Sequence, residues 1–299
     1  MDSPTQTGVP SWTIQRLLTW TTDFLHQRGV GDPRLSCELL LAHATGYKRI
    51  ELYTRFDQVL ADEVLATYRE CVKRAADHEP IAYLVGEKEF FSLGFTVTPD
   101  VLIPRSETET LVEVALDFLA KTDRDDVRIL DLGTGSGCVV IAILTQRAEA
   151  TAIATDISPQ ALAVARKNAE RHGVADRLRL LQTNCFTDVD SGNGFDCIVS
   201  NPPYIAAGEM DEVAENVRKY EPHIALTDQG DGLSFYRALA EGGAMLLRDG
   251  GMVAVEVADA RSGPVRGIFE SVGSWENAAT LKDRVVGLER VLVFRPSST

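Results

Sequence analysis

The stretch Ser200-Asn201-Pro202-Pro203-Tyr204 has the residue types for chemistry at a planar, weakly nucleophilic nitrogen. The lone pair of an amide or exocyclic amino nitrogen is spread into a π system. Two acceptors aimed at its N–H groups hold such a nitrogen and draw the lone pair toward an electrophilic methyl donor. The Asn201 side-chain carbonyl and the Pro202 backbone carbonyl are acceptors of this kind. Two successive prolines fix φ and stiffen the loop. Tyr204 offers a flat face to a planar substrate group. Taken alone, the same residues also read as an ordinary proline-rich turn after a strand. The choice between the two readings rests on the rest of the chain.

A second motif lies upstream. An apolar run from Val127 ends at Asp131, Gly133-Thr134-Gly135-Ser136-Gly137 follows, and Cys138 to Leu144 is again apolar. This order reads as strand, tight turn, helix, with glycines that let the backbone approach a ligand at the helix N-terminus. Dinucleotide sites use G-x-G-x-x-G, whereas the spacing here is G-x-G-x-G with Cys138 next. With the acidic Asp131 before it, the pattern fits a nucleoside lacking a pyrophosphate better than a dinucleotide. Thr151 to Asp156 reads as the next strand, and Asp156 falls about twenty residues beyond the glycines, where such folds hold a ribose by its hydroxyls. Ser158 and Pro159 then suit the N-cap and first position of a helix whose face carries Ala161, Leu162, Ala165 and Ala169.

The elements that must position these residues can be read from periodicity. Residues from Ser11 to about Asp77 show apolar residues at helical spacing: Ile14, Leu17, Leu18; Leu39, Leu40, Leu41; Val64, Leu65, Tyr68, Val72. This region holds no chemical motif, so recognition or support is its expected task. Between Glu89 and Ile103, apolar residues around Ser92-Leu93-Gly94 and Pro99-Asp100 predict short strands and a hairpin. A helix is expected after Ser106, with Glu109 completing a capping box. Strands and helices alternate from there on, including Phe195 to Ser200 before Asn201 and Gly251 to Val257 late in the chain. Alternation of this kind predicts an open, mostly parallel sheet with helices on both faces, and ligands beyond the carboxyl ends of the strands. Asp131, Asp156 and Asn201 each follow a strand and are expected along one rim. The predicted division is a helical domain over 1–80, a β-hairpin linker over 81–105 and a catalytic α/β domain over 106–299.

Composition narrows the function classes. The chain has 299 residues, 44% of them hydrophobic and 25% charged, as in an ordinary soluble protein. No run approaches the length of a membrane span, and Met1 to Ser11 lacks the basic-then-apolar pattern of a signal peptide. Five cysteines are scattered without a C-x-x-C pair, which suits reduced thiols in the cytoplasm. The five histidines make no metal-ligand pattern, so no metal is expected. Net charge is −14. Nine basic and eleven acidic residues lie in 1–80, leaving the remainder at about −12. A catalytic region this acidic is a poor match for a polyanion, since nucleic-acid affinity leans on phosphate neutralisation.

On these residues the chain resembles the protein-(glutamine-N5) methyltransferases that modify peptide chain release factors. The resemblance runs from about Glu79 to Arg295. It rests on Pro80 to Gly86, Phe90-Phe91, Val97 to Arg105, Asp131 to Gly137, Ser200 to Ile205, Tyr220-Glu221-Pro222, Ala225-Leu226, Asp231-Gly232-Leu233 and Tyr236. Glu221-Pro222 and Asp231-Gly232-Leu233 set it apart from DNA methyltransferases, which share the Asn-Pro-Pro-Tyr loop. The resemblance implies a Rossmann-like catalytic domain, a smaller all-helical substrate-recognition domain and a β-hairpin linker. It implies S-adenosylmethionine as cofactor and, as substrate, the glutamine of the Gly-Gly-Gln loop in class I release factors, with no direct nucleic-acid or membrane partner. Carried over by position, Gly133, Thr134, Gly135, Ser136 and Gly137 would wrap the methionine part of the cofactor. Asp156 would hold its ribose and Asn201 would touch both cofactor and substrate amide. Pro202, Pro203 and Tyr204 would complete the substrate pocket.

Three positions depart from the family pattern. Ser106 stands where proline is usual, and Asp259 to Ser262 lacks a glutamine often seen after the late strand. Asn184-Cys185-Phe186 replaces an acidic residue followed by large apolar ones, so Phe186 is placed either at the adenine or in the core. The expected reaction is direct in-line methyl transfer that needs alignment rather than a strong base, and neither Glu221 nor His223 is assigned as one. Two other readings stand beside it: a methyltransferase acting on exocyclic amino groups of nucleic acid bases, and a non-catalytic cofactor-binding module.

Overall fold

The computed structural model describes residues 11–282 and 287–297, so all but the last residue of the polar stretch Met1 to Ser11 lies outside it. The chain divides into two compact units, Met1–Gly86 and Glu87–Thr299. The first is helical, with α1 (Ile14–Gln27), α2 (Pro33–Thr45), α3 (Arg49–Thr54), α4 (Asp62–Ala76) and α5 (Ile81–Val85). The Thr13 side chain caps α1 by accepting from the Arg16 amide, and Pro33 opens α2 where no N–H is needed. Ile14, Leu17, Leu18, Leu40, Leu41, Leu65, Tyr68 and Val72 bury into one core, whereas Leu39 and Val64 are half-buried. Glu38 is buried there and accepts from Arg34 and Arg49, both at 2.8 Å, and from the Tyr53 hydroxyl. A charge removed from water in this way needs such partners.

The second unit begins with a hairpin of β1 (Glu87–Phe90) and β2 (Leu93–Thr96). Its turn is Phe91-Ser92, with φ of 51° and 60°. Two consecutive positive φ values match the twist of a two-residue hairpin turn. The predicted turn at Ser92-Leu93-Gly94 therefore lies slightly too late in the chain. The segment read as one linker over 81–105 is also divided, because α5 belongs with the helices and the hairpin with the second unit. The expected capping box at Ser106 does not form. Ser106–Thr108 makes a short 3-10 turn before α6 (Glu109–Leu119), and the Glu109 carboxylate instead accepts from the Phe91 amide at 2.8 Å. That amide sits in the tight turn with no ladder partner, so a tertiary contact takes the side chain the local motif would have used.

Then follow β3 (Arg128–Leu132), α7 (Cys138–Gln146), β4 (Thr151–Asp156), α8 (Pro159–Arg171), β5 (Leu178–Gln182), β6 (Phe195–Ser200), α9 (Glu215–Tyr220), α10 (Ser234–Gly242), β7 (Leu247–Glu256), α11 (Ser262–Val272), β8 (Trp275–Lys282) and β9 (Glu289–Pro296). The sheet has seven strands in the order β5-β4-β3-β6-β7-β9-β8. Strands β3 to β7 pair in parallel, and β9 pairs antiparallel with β7 and β8. One core lies on each face, the first including Val140, Ile141 and Val199, the second Ile198, Tyr236 and Phe269. Strands covered on both faces read as near-continuous apolar runs, which is why β6 is buried at every position.

Side chains of α6 and α8 tie the hairpin to the rest of the unit, Glu109 among them, and Asn168 links it to the glycine turn. Asn168 on α8, fully buried, accepts from the Thr96 amide at 2.8 Å and donates to the Thr96 carbonyl at 3.0 Å and the Ser136 carbonyl at 2.9 Å. Replacing it in Asn168→Leu leaves these groups, part-buried at Thr96 and buried at Ser136, without that partner. We expect a loss of about 3 kcal/mol in stability by denaturant unfolding. A change below about 0.5 kcal/mol, the level of an ordinary surface substitution, would show that the tie carries no weight.

Candidate active site

The strand order reverses between β3 and β6, and such a switch point opens a crevice at the carboxyl ends. Leu132 pairs with Thr155 of β4 on one side and with Ser200 of β6 on the other. The residues that follow these three are Gly133, Asp156 and Asn201, so the register alone brings them to one rim. A cleft of about 590 Å³ opens there, and its lining includes Asp131, Gly133, Asp156, Phe186, Asn201 and Pro203.

The glycine turn has positive φ at Gly133, Gly135 and Gly137, of 71°, 55° and 81°. The Thr134 amide donates to the Thr155 carbonyl at 2.9 Å, and the Thr134 hydroxyl donates to Asp131 Oδ2 at 2.6 Å. Asp156 accepts from the Gly135 amide and the Ser158 amide, each at 2.9 Å. Burial nevertheless raises the Asp156 carboxyl above its ordinary range. Burial likewise pushes Asp131 up to about 7, with the Thr134 hydroxyl opposing and the neighbouring Asp156 adding to the rise. Two carboxyls strained toward neutrality beside a cleft favour a cationic ligand. S-adenosylmethionine carries an ammonium and a sulfonium, and the glycine backbone leaves room for it.

The sequence-predicted residues divide into two groups. Gly133, Thr134, Gly135, Ser136, Asp156, Phe186, Asn201 and Pro203 line the cleft. Gly137, Pro202 and Tyr204 do not. Gly137 precedes α7, and a Cβ there would stand 2.8 Å from Ile141 Cδ1 and 3.3 Å from the Ala165 Cβ. Pro202 is buried. The Tyr204 ring packs against the second core, and burial pushes its hydroxyl up to about 12. Phe186 has both expected placements, since it lines the cleft and also packs on that core, with Gly242 leaving no room for a Cβ beneath the ring. Cys185 takes a left-handed φ of 56°, and its carbonyl accepts from Thr155 Oγ1 at 2.8 Å.

The loop from Asn201 is braced by residues whose parts the sequence did not reveal. Burial would raise Asp228, but the Ser234 hydroxyl and the amides of Gly230, Gly232 and Ser234 hold it at about 2. An aspartate before closely spaced glycines was the available signal. Gly232 has φ of 77°, and a Cβ there would meet the Tyr204 carbonyl oxygen at 2.3 Å. The Asp231-Gly232-Leu233 signature thus lies directly under the loop. Glu221 accepts from the Ile103 amide at 3.1 Å and from Arg105. Both of its oxygens are engaged, and His223 is exposed with Nε2 2.8 Å from the Arg218 carbonyl, so both residues are braces rather than bases.

Among family comparisons, the PrmC N-terminal domain matches residues 16–86 and the methyltransferase small domain matches residues 109–231. The human methyltransferase 10 domain containing protein superposes with a TM-score of 0.50 at 16% identity, covering 70% of this chain and 90% of that one, a likeness of fold. Fold and cleft together define an S-adenosylmethionine-dependent methyltransferase. The release factor glutamine methyltransferase of Rhodopirellula baltica is 41% identical over 283 residues, covering 94% of this chain and 95% of its own. That of Geobacter sulfurreducens is 41% identical over 262 residues, covering 88% and 90%. The chain belongs to the release factor glutamine methyltransferase family.

Asp131, in the cleft lining, should give cofactor binding a pH dependence. Burial pushes its carboxyl up to about 7, and a cation bound beside it would lower that value, so the complex would hold fewer protons. Affinity should therefore be full above pH 7 and fall as pH drops below it. Calorimetry at about pH 6 should show binding several-fold weaker than at about pH 7.5, with Asp131→Asn flattening the difference. Equal wild-type affinities at both pH values would contradict the assignment.

Proposed function

We propose that this protein transfers the methyl group of S-adenosylmethionine to the side-chain nitrogen of the glutamine in the Gly-Gly-Gln loop of class I peptide chain release factors. The observation that carries this reading is the double pairing of Leu132, which sets Asn201 beside the glycine turn and Asp156. Membership of the release factor glutamine methyltransferase family supports it. The acidic total of −14 disfavours the alternative, transfer to nucleic acid bases.

The cofactor supplies a methyl carbon already activated by its sulfonium. Gly133, Thr134, Gly135 and Ser136 of the glycine turn would hold the methionine part, Asp156 the ribose and Phe186 the adenine. Oδ1 of Asn201, which opens on the cleft, would accept from the glutamine amide and favour a localised lone pair on its nitrogen. Pro203 walls the pocket, and Tyr204 holds the loop from behind through its core packing. The spare proton leaves after attack, so no strong base is required. The helical unit, which carries no chemical motif, recognises the folded substrate, and the protein works in the cytoplasm without contacting nucleic acid or membrane. Among the described residues no helix is long and apolar enough to cross a membrane.

The test is label transfer from S-adenosylmethionine to a release factor, to RNA and to DNA in parallel, with the labelled residue mapped by mass spectrometry. Label on the Gly-Gly-Gln glutamine is expected, and label on nucleic acid alone would overturn the reading. Asn201→Ala should lower turnover by about 100- to 1000-fold while cofactor affinity changes much less. Turnover within a few-fold of wild type would remove Asn201 from its role.

A further inference from the structure

The cofactor carries one group that the residues assigned above do not answer. Besides its ammonium and sulfonium, S-adenosylmethionine has a carboxylate on the same carbon as the ammonium. The cleft lining holds the carboxyls of Asp100, Asp131, Asp156 and Asp228, which repel such a group. Three amides of the glycine turn are spent within the fold. That of Thr134 donates to the Thr155 carbonyl at 2.9 Å, that of Gly135 to Asp156 at 2.9 Å and that of Gly137 to the Thr134 carbonyl at 2.8 Å.

Arg105 is the one Lys, Arg or His among the described residues that line this cleft. Thr108, three residues on, accepts from Asn201 Nδ2 at 3.2 Å, so this segment runs beside the end of β6. The guanidinium is fixed on one side. Its Nη2 donates to Glu221, whose side chain is 1% exposed and which also accepts from the Ile103 amide at 3.1 Å. That bond takes one of the five N–H groups of a guanidinium. The Arg105 side chain stays 36% exposed, so donors remain for a ligand in the cleft. A planar fork held on one edge can receive a carboxylate on another through charge-assisted hydrogen bonds.

We propose that Arg105 binds the carboxylate of S-adenosylmethionine, with Glu221 holding the guanidinium for it. The inference rests on the cofactor and not on the identity of the methyl acceptor. Both charges of the amino-acid end then meet their opposites in one cleft, the ammonium a carboxyl such as Asp131 and the carboxylate Arg105. The pairing of Glu221 with Arg105 thereby gains a task beyond bracing the loop.

The test compares two ligands by calorimetry on the whole protein. S-adenosylhomocysteine has the carboxylate, and its decarboxylated analogue keeps the ammonium, thioether and nucleoside without it. An acidic cleft alone would favour the decarboxylated ligand, which is the more positive of the two. Wild type should instead bind S-adenosylhomocysteine at least about tenfold more tightly. Arg105→Gln keeps a donor for Glu221 but no charge. Its preference should vanish or reverse through weaker binding of S-adenosylhomocysteine, with the decarboxylated ligand within about twofold of wild type. Arg105→Lys keeps the charge without the fork and should retain a preference of about threefold. No readout involves a methyl acceptor, so a failure to label release factor would overturn the proposed function and leave this result standing. Equal wild-type affinity for the two ligands would overturn the inference. So would equal losses for both ligands in Arg105→Gln, which would mark Arg105 as a brace for Glu221 alone. Should Arg105→Gln fail to fold, Arg105→Lys decides, since an undiminished preference there would contradict recognition by the fork.

Discussion

Parallel pairing on both sides of β3 is the constraint on which the rest of this structure depends. Leu132 is bonded in register to Thr155 and to Ser200, and the three strands end level. Each strand then delivers one functional element to the rim: a glycine turn, a carboxylate and an amide. A shift of one residue in any of the three would turn that strand's side chains to the opposite face of the sheet. The apolar cores on both faces oppose such a slip, because β3 and β6 are buried almost throughout. Packing energy spent far from the cleft therefore sets the positions of groups within it.

The loop beyond Asn201 needs support of a different kind, because a segment leaving a strand has no ladder to hold it. Proline rigidity accounts for part of that support. The remainder comes from residues distant in sequence: Asp228 gathering four donors, Gly232 packed beneath the Tyr204 carbonyl, and Glu221 joining the Ile103 amide to Arg105. The Ile205 amide also donates to the Leu226 carbonyl at 3.0 Å. These contacts explain why short signatures between residues 220 and 236 accompany the Asn-Pro-Pro-Tyr loop in this chain. They shape the seat on which the loop lies and do not themselves take part in the chemistry.

Much of the site was legible in the sequence because its signals are local. A strand ending in Asp131, glycines at alternate positions and a second strand ending in Asp156 each state their geometry within a few residues. Helical stripes in the first unit were legible for the same reason. The features that were not legible all depend on a tertiary partner. Glu109 had the spacing of a capping box but was taken by the Phe91 amide. Tyr204 had the chemistry of a stacking face, and no local signal showed that it also packs against the second core. The turn at Phe91-Ser92 requires two positive φ values at residues with no local preference for them, and the packing of the flanking strands imposes it.

The most direct measurement is a crystal structure of the protein with S-adenosylhomocysteine and a peptide carrying the Gly-Gly-Gln loop. The glutamine side-chain nitrogen should lie within about 3.2 Å of Asn201 Oδ1, with Asn201 Nδ2 still on Thr108 and the nitrogen facing the cofactor sulfur. A glutamine held by other residues, or an Asn201 that turns Nδ2 toward it, would contradict the account.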